Sequence, residues 1–202
     1  MIIFCINCQK KIKASTGFVC DECGYLNPLS SFPAINYFTY LNFDPSFKID
    51  LQQLEQVYLN LMQIYHPDKF VLKSENEKNN SAIHSSYLNN AYNILNNEVS
   101  RLAYYYKLMN GENIIEDEGT INDPALTMEF LESYEKLDNS VTKADLKAFQ
   151  QELHLAKNYI LNDIKKMDIK EQGNQIKTLY IKTKYIERIL EKSQIKFHKL
   201  KI

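Results

Sequence analysis

Ile64-Tyr65-His66-Pro67-Asp68-Lys69-Phe70 is the stretch whose reading decides the fold of this 202-residue chain. Ahead of it, Leu51, Leu54, Tyr58, Leu61 and Tyr65 recur three or four residues apart, and Asp50 with Gln53 makes a capping-box pattern. That spacing predicts an amphipathic helix over 51–65. Pro67 has no amide hydrogen and disfavours helical geometry in His66, so the helix stops and a loop begins at His66. Beyond the loop, Ser74 and Glu77 form a second capping box, and Ala82, Ile83, Tyr87, Ala91, Ile94 and Leu95 mark one face of a helix to about residue 95. Two antiparallel helices follow, joined by a short polar loop with His66-Pro67-Asp68 at its tip.

Working outward, Asn36-Tyr37-Phe38-Thr39-Tyr40-Leu41 reads as a short first helix closed by the turn Phe43-Asp44-Pro45. A helix over roughly 98–109 ends at Asn110-Gly111, where glycine suits the left-handed residue just past a helix. An acidic linker runs from Glu112 to Asp123. Asp123-Pro124 then opens another helix, with Asp as cap and Pro in its first position, and Thr142 with Asp145 starts a further one. Ile176, Leu179, Thr183, Ile186 and Leu190 alternate three and four residues apart, a seam for packing helices together. The C-terminal part is predicted to be a three-helix bundle.

Composition agrees with a helical protein. Five glycines, five prolines and no tryptophan leave few chain breakers, against a β sandwich or barrel, and 45% apolar with 24% charged residues excludes a disordered or collagen-like chain. The net charge of −1 comes from 24 basic and 25 acidic residues, and only Arg101 and Arg188 are arginines. The lysines from Lys165 to Lys201 are interleaved with acids and apolar residues, which reads as a solvated helix face. A nucleic-acid stripe would need clustering and more arginine, so neither nucleic acid nor membrane is an expected partner.

All four cysteines fall in the first 23 residues, as Cys5-Ile6-Asn7-Cys8 and, eleven residues on, Cys20-Asp21-Glu22-Cys23. Two such pairs can aim four thiolates at one tetrahedral zinc ion, with Gly17 and Gly24 supplying turns. Four cysteines leave no open ligand position, so the ion would be a structural Zn2+ that staples a segment too short to build a core. Two redox dithiols, or cysteines that merely occur together, are the other readings of the same residues, although the βαβ context of a thioredoxin-like site is absent. Cys5 stands too near the start for a leader peptide ahead of it, and no run of about 20 apolar residues occurs. The expected compartment is a reducing one, the bacterial cytoplasm or, for a mature form, the mitochondrial matrix.

His66 has no Ser or Cys nucleophile in a plausible frame, and Asp68 two positions away cannot orient it as a triad would. Hydrolase chemistry is not supported. His84, His154 and His198 are isolated and read as structural.

In its setting between two helices, Tyr65-His66-Pro67-Asp68-Lys69-Phe70 resembles the J-domain of DnaJ-type co-chaperones. With Asn36-Tyr37-Phe38-Thr39, the run from Leu88 to Leu95, and Arg101-Leu102-Ala103-Tyr104-Tyr105, the chain is similar to the HscB/Jac-type co-chaperones of iron–sulfur cluster biogenesis. The resemblance implies an all-α fold in three parts: a four-cysteine zinc module over 1–27, a J-domain over 36–110 and a scaffold-binding bundle over 120–202. It also implies an adaptor with no reaction of its own. His66, Pro67, Asp68, Lys69 and Lys73 would engage a heat-shock 70 class chaperone (DnaK/HscA-like) and trigger its ATPase. Asp68 would accept charge-assisted hydrogen bonds from an arginine there. The family's second J-domain helix usually presents Lys or Arg to the chaperone, whereas Leu51–Tyr65 has none, so docking is expected to be weaker or less salt-sensitive than usual.

At the other end, the resemblance assigns an IscU-type iron–sulfur scaffold to Leu126, Met128, Leu131, Glu132 and Glu135, with Tyr185 on the last helix. Met128, Leu131, Glu132 and Glu135 lie three or four apart and share one helix face. Taken alone, the same residues could be bundle core with a solvated acidic edge. Weak self-association through the zinc module is a further expectation. The rivals are a J-domain protein serving another client, a zinc ribbon binding nucleic acid through Lys10, Lys11 and Lys13, and a dithiol oxidoreductase.

Overall fold

Both predicted cap positions and the proline stop lie at real helix ends in the computed structural model, which describes residues 3–12, 18–32, 35–114 and 124–200, although of the two caps only Ser74–Glu77 closes a reciprocal box. Helix α1 (Tyr37–Tyr40) is one turn, closed by a reciprocal box between Asn36 and Thr39. Helix α2 (Leu51–Tyr65) starts where the Asp50 carboxylate accepts from the Gln52 and Gln53 amides. It ends at His66, whose ψ of 130° is the extended geometry that a following proline imposes. Pro67–Phe70 form a 3-10 turn, and α3 (Glu75–Asn96) begins with the Ser74–Glu77 box. Helix α4 (Glu98–Asn110) gives way to Gly111 at φ 75°, the left-handed residue expected there.

Helices α5 (Pro124–Asn139), α6 (Lys143–Ile164) and α7 (Gly173–Lys199) complete the chain, α6 opening on a box between Thr142 and Asp145. The acidic linker beyond Ile114 and the Asp123 cap lie outside the described residues. The sheet content among the described residues is a two-stranded ribbon, β1 (Ile3–Phe4) antiparallel to β2 (Lys11–Ile12). No described helix is long and apolar enough to cross a membrane. The chain divides into two compact units, Met1–Arg101 and Leu102–Ile202.

In the first unit α3 is the spine, packed by α1, α2 and the 3-10 turn after α2. The hydrophobic pattern places Ala82 and Ile83 on its inner face, but both are exposed, and the buried residues are Glu77, Asn80, Ser81, His84, Ser85, Leu88, Ala91 and Leu95. A polar face can go inside because every buried group finds a partner. The Ser81 and Ser85 hydroxyls donate to the Tyr65 carbonyl at 2.7 and 2.9 Å. The His84 ring meets the Asn27 carbonyl at 2.8 Å, and the Asn80 amide donates to the Leu26 carbonyl at 2.8 Å. Buried Arg101 donates from Nε to the Phe47 carbonyl at 2.9 Å and from Nη1 to that of Leu95, tying the segment before α2 to the end of α3.

The second unit holds α5, α6 and α7 as three mutually packed helices. Leu137, Leu146, Phe149, Leu153 and Ile189 form its core, with Tyr185, Ile186 and Leu190 against it. Of the predicted seam on α7, Ile176 and Thr183 are buried, and Ile189 joins them. Lysines of this unit pair with acids across the bundle, Lys157 with Glu187 at 2.8 Å and Lys182 with Glu129 at 2.6 Å. The first pair is part-buried, with its side chains 23% and 25% exposed, and the second is more open on its Glu129 side.

His84 gives this fold a pH dependence. Its Nε2 faces a carbonyl and must carry the proton, so Nδ1 accepts from the Tyr40 hydroxyl at 3.0 Å in the neutral ring. Burial lowers its pKa below the ordinary histidine value. The unfolded chain therefore takes up a proton first on acidification. The stabilisation is complete above about pH 6.5 and is lost below it, by at most about 1.4 kcal/mol per pH unit. His84→Gln is expected to be less stable than the parent at pH 7.5 and to lose less stability between pH 7.5 and 5.5, measured by urea denaturation. Losses common to both proteins cancel, and identical slopes would show that His84 is not the titrating group.

Candidate functional site

The His66-Pro67-Asp68 tripeptide is held out in solvent between two buried aromatic anchors. Tyr65 on its N-terminal side and Phe70 on its C-terminal side are both buried, and the turn packs on α3. Between them the side chains of His66 and Asp68 are 48% and 86% exposed. His66 Nδ1 accepts from the Asp68 amide at 3.3 Å, and the Lys69 amide donates to the His66 carbonyl at 3.0 Å, so the turn holds its own shape. The Asp68 carboxylate is thereby left facing outward with acceptor capacity for a cationic partner. Lys69 and Lys73 are exposed beside it. Sequence reasoning missed the flanking apolar residues Ile64, Val71 and Leu72, all exposed, the last at 99%. The signal was Val71-Leu72 standing outside either helical repeat.

The cysteines come together as two copies of one small hairpin. In the first, the Cys5 amide donates to the Lys10 carbonyl and the Gln9 amide to the Cys5 carbonyl; in the second, Cys20 pairs likewise with Tyr25 and Gly24 with Cys20. The residue after each pair is left-handed, Gln9 at φ 60° and Gly24 at φ 68°. Glutamine thus makes the first turn, while Gly17 lies outside the described residues.

The Cys5 and Cys23 sulfurs are 3.7 Å apart, as are those of Cys8 and Cys20, and all four lie within 4.8 Å of one another. A regular tetrahedron with metal–sulfur arms of about 2.3 Å has edges of about 3.8 Å, so the donors fit a thiolate-bound divalent ion with no open position. The Tyr25 amide leads in lowering the Cys23 thiol to about 7. The Lys10 amide lowers Cys8, but burial and the other sulfurs outweigh it and push that thiol up to about 12. A central cation is what would let all four ionise together.

On α5 the structure separates the predicted residues. Met128 and Leu131, 63% and 55% exposed, share an outer face with exposed Glu132 and Glu135, and are not bundle core. Leu126 is 4% exposed and faces inward with Phe130 and Leu137, apart from the four residues of the outer face. Tyr185 lies under Phe130, ring centroids 3.4 Å apart and nearly parallel, with Tyr134 edge-on at 5.6 Å. Burial first, then Tyr134, pushes its hydroxyl up to about 12. Two exposed residues on α6, Leu155 and Tyr159, had no place in the predicted site.

Residues 122–194 match the family described as the HSCB C-terminal oligomerisation domain. Over 193 residues the chain is 29% identical to the iron–sulfur cluster co-chaperone protein HscB of Mus musculus, covering 95% of this chain and 81% of that protein. It is 35% identical over 114 residues to the co-chaperone protein HscB homolog of Neisseria meningitidis, covering 56% of this chain and 68% of that one. The crystal structure of human co-chaperone protein HscB superposes with a TM-score of 0.83 at 28% identity, over 96% of this chain and 98% of that chain.

Cobalt(II) added to chelator-treated protein is expected to give one tetrahedral, thiolate-ligated ion per chain. Cys20→Ser should abolish that spectrum, and a Cys20→Ser protein that keeps it would rule out a closed four-sulfur site.

Proposed function

This chain belongs to the HscB family of iron–sulfur cluster co-chaperones, and on that premise we propose that it is an adaptor delivering an IscU-type scaffold to a heat-shock 70 class chaperone and stimulating the chaperone's ATPase. The observation that carries the reading is the outward-held His66-Pro67-Asp68 turn, fixed at both ends by buried aromatics. Asp68 offers its carboxylate to an arginine of the chaperone, Pro67 fixes the geometry, and His66 caps the turn through Nδ1. Lys69 and Lys73 add the positive charge that α2 lacks.

At the other end, Met128 and Leu131 supply an apolar contact and Glu132 and Glu135 an acidic rim for the scaffold. Leu126 and Tyr185 act from beneath by holding α5 on the bundle. One adaptor bound to both partners raises the effective concentration of each for the other. The protein is regulatory and not an enzyme. We assign Zn2+ to the four cysteines, as a staple for the module at 1–27, which offers at most a weak self-association surface. The J-domain then takes 36–110 and the scaffold-binding bundle 120–202. Four thiolates suit a reducing compartment, the bacterial cytoplasm in the first instance and the mitochondrial matrix as the alternative.

In a steady-state assay with chaperone, ATP and scaffold, Asp68→Asn is expected to lower the stimulated ATPase by about tenfold or more, the loss of one charge-assisted contact. Equal rates for the two proteins would refute the reading. Leu131→Ala with Glu135→Ala is expected to weaken scaffold binding by about tenfold and to leave chaperone binding unchanged, measured by calorimetry. Undiminished scaffold binding would point to another client or another face. Because α2 carries no Lys or Arg, chaperone affinity should fall by less than about threefold between 50 and 300 mM salt.

A further inference from the structure

Phe18, two residues before Cys20, is buried among aromatic rings that belong to the helices. It stacks on Tyr40 at 5.1 Å, tilts over His84 at 4.4 Å and meets Tyr65 edge-on at 6.0 Å. Its amide faces the Tyr65 hydroxyl oxygen at 3.5 Å. Asn27, fully buried, reaches across the module: Oδ1 accepts from the Ile6 amide at 2.9 Å, and Nδ2 donates to the Phe18 and Tyr25 carbonyls at 3.1 and 3.2 Å. The same residue's carbonyl takes the His84 hydrogen bond at 2.8 Å, and Asn80 holds the Leu26 carbonyl. Tyr65 is the last residue of α2, and the next residue is His66.

From this continuity we infer that the four-cysteine module is a buttress for the His66–Asp68 turn, with Phe18 as the positioning residue, so that metal occupancy sets how firmly the turn is held. Without an ion the two hairpins lose the energy that closes them, since metal binding in so small a unit is folding energy. Phe18 then no longer covers the Tyr65 ring, and the N-terminal anchor of the turn loosens. The consequence for chaperone stimulation rests on the proposed function, but the mechanical coupling does not.

Amide hydrogen exchange on the full chain tests it. The reporters are the His66 amide, bonded to the Met62 carbonyl at 3.0 Å, and the Asp68 and Lys69 amides of the turn, with α6 as internal control. Chelation is expected to speed exchange at the three reporters by about tenfold or more and to leave α6 unchanged. Phe18→Leu, which keeps all four cysteines, should still bind one cobalt(II) ion yet show the same faster exchange, with ATPase stimulation falling in parallel. Asn80→Ala, a milder cut at the same joint, should shift the reporters in the same direction if Phe18→Leu does not fold. Unchanged reporter exchange after chelation overturns the buttress, even if Asp68→Asn abolishes stimulation. Faster exchange together with a fully active Asp68→Asn protein leaves the buttress standing and removes the proposed function.

Discussion

The carbonyl oxygen of Tyr65 is the point at which α2 runs out, and two hydroxyls of α3 donate to it together. In a continued helix the Lys69 amide would fill that role, but Pro67 turns the chain and the Lys69 amide goes to His66 instead. A buried carbonyl left without a donor costs about 1–3 kcal/mol, so the position demands donors from elsewhere. Ser81 and Ser85, one helical turn apart, provide them and so fix the register of α3 against α2. Everything the turn presents to solvent follows from that clamp.

The same polar side of α3 continues into the cysteine module. His84 and Asn80 reach backbone carbonyls on the segment that closes the second hairpin, and aromatic rings fill the space between. Such a joint has direction, because each hydrogen bond accepts one partner geometry, and it is more specific than an apolar contact of equal area. The bundle is built differently. Its core is aliphatic and aromatic, and its ion pairs run between helices at the margin of that core, Lys157 with Glu187 part-buried and Lys182 with Glu129 more open.

Among the described residues, neither the His66–Asp68 turn nor the outer face of α5 brings a nucleophile, base and oxyanion donors together. What each presents is a surface for contact: a carboxylate on a short hydrogen-bonded turn in one unit, and in the other a helix face where Met128 and Leu131 precede Glu132 and Glu135. Rigidity suits recognition, because a surface already in its bound shape loses less entropy on association. The outer side of α2 carries the acid Glu55 and no Lys or Arg, so the helix next to the turn adds no long-range attraction for an acidic partner surface.

The sequence by itself determined the ends of α2, the start of α3, the close of α4 at Gly111, the turn at Pro67 and the two Cys-x-x-Cys hairpins. Those features are local: a cap acts over three residues, a proline restricts its neighbour, and a Cys-x-x-Cys hairpin closes on itself. It also placed Met128, Leu131, Glu132 and Glu135 on one face, which needs only helical periodicity. Only the tertiary structure decided which way the faces point. Hydropathy put Ile83 inside α3 and left Ser81, His84 and Ser85 out, because a polar residue is buried only where a distant partner satisfies it, and those partners lie 16 to 57 residues away. Leu126 and Met128 are equally apolar in the sequence, yet one is core and the other surface, since the neighbouring helices cover one side of α5 and leave the other to solvent.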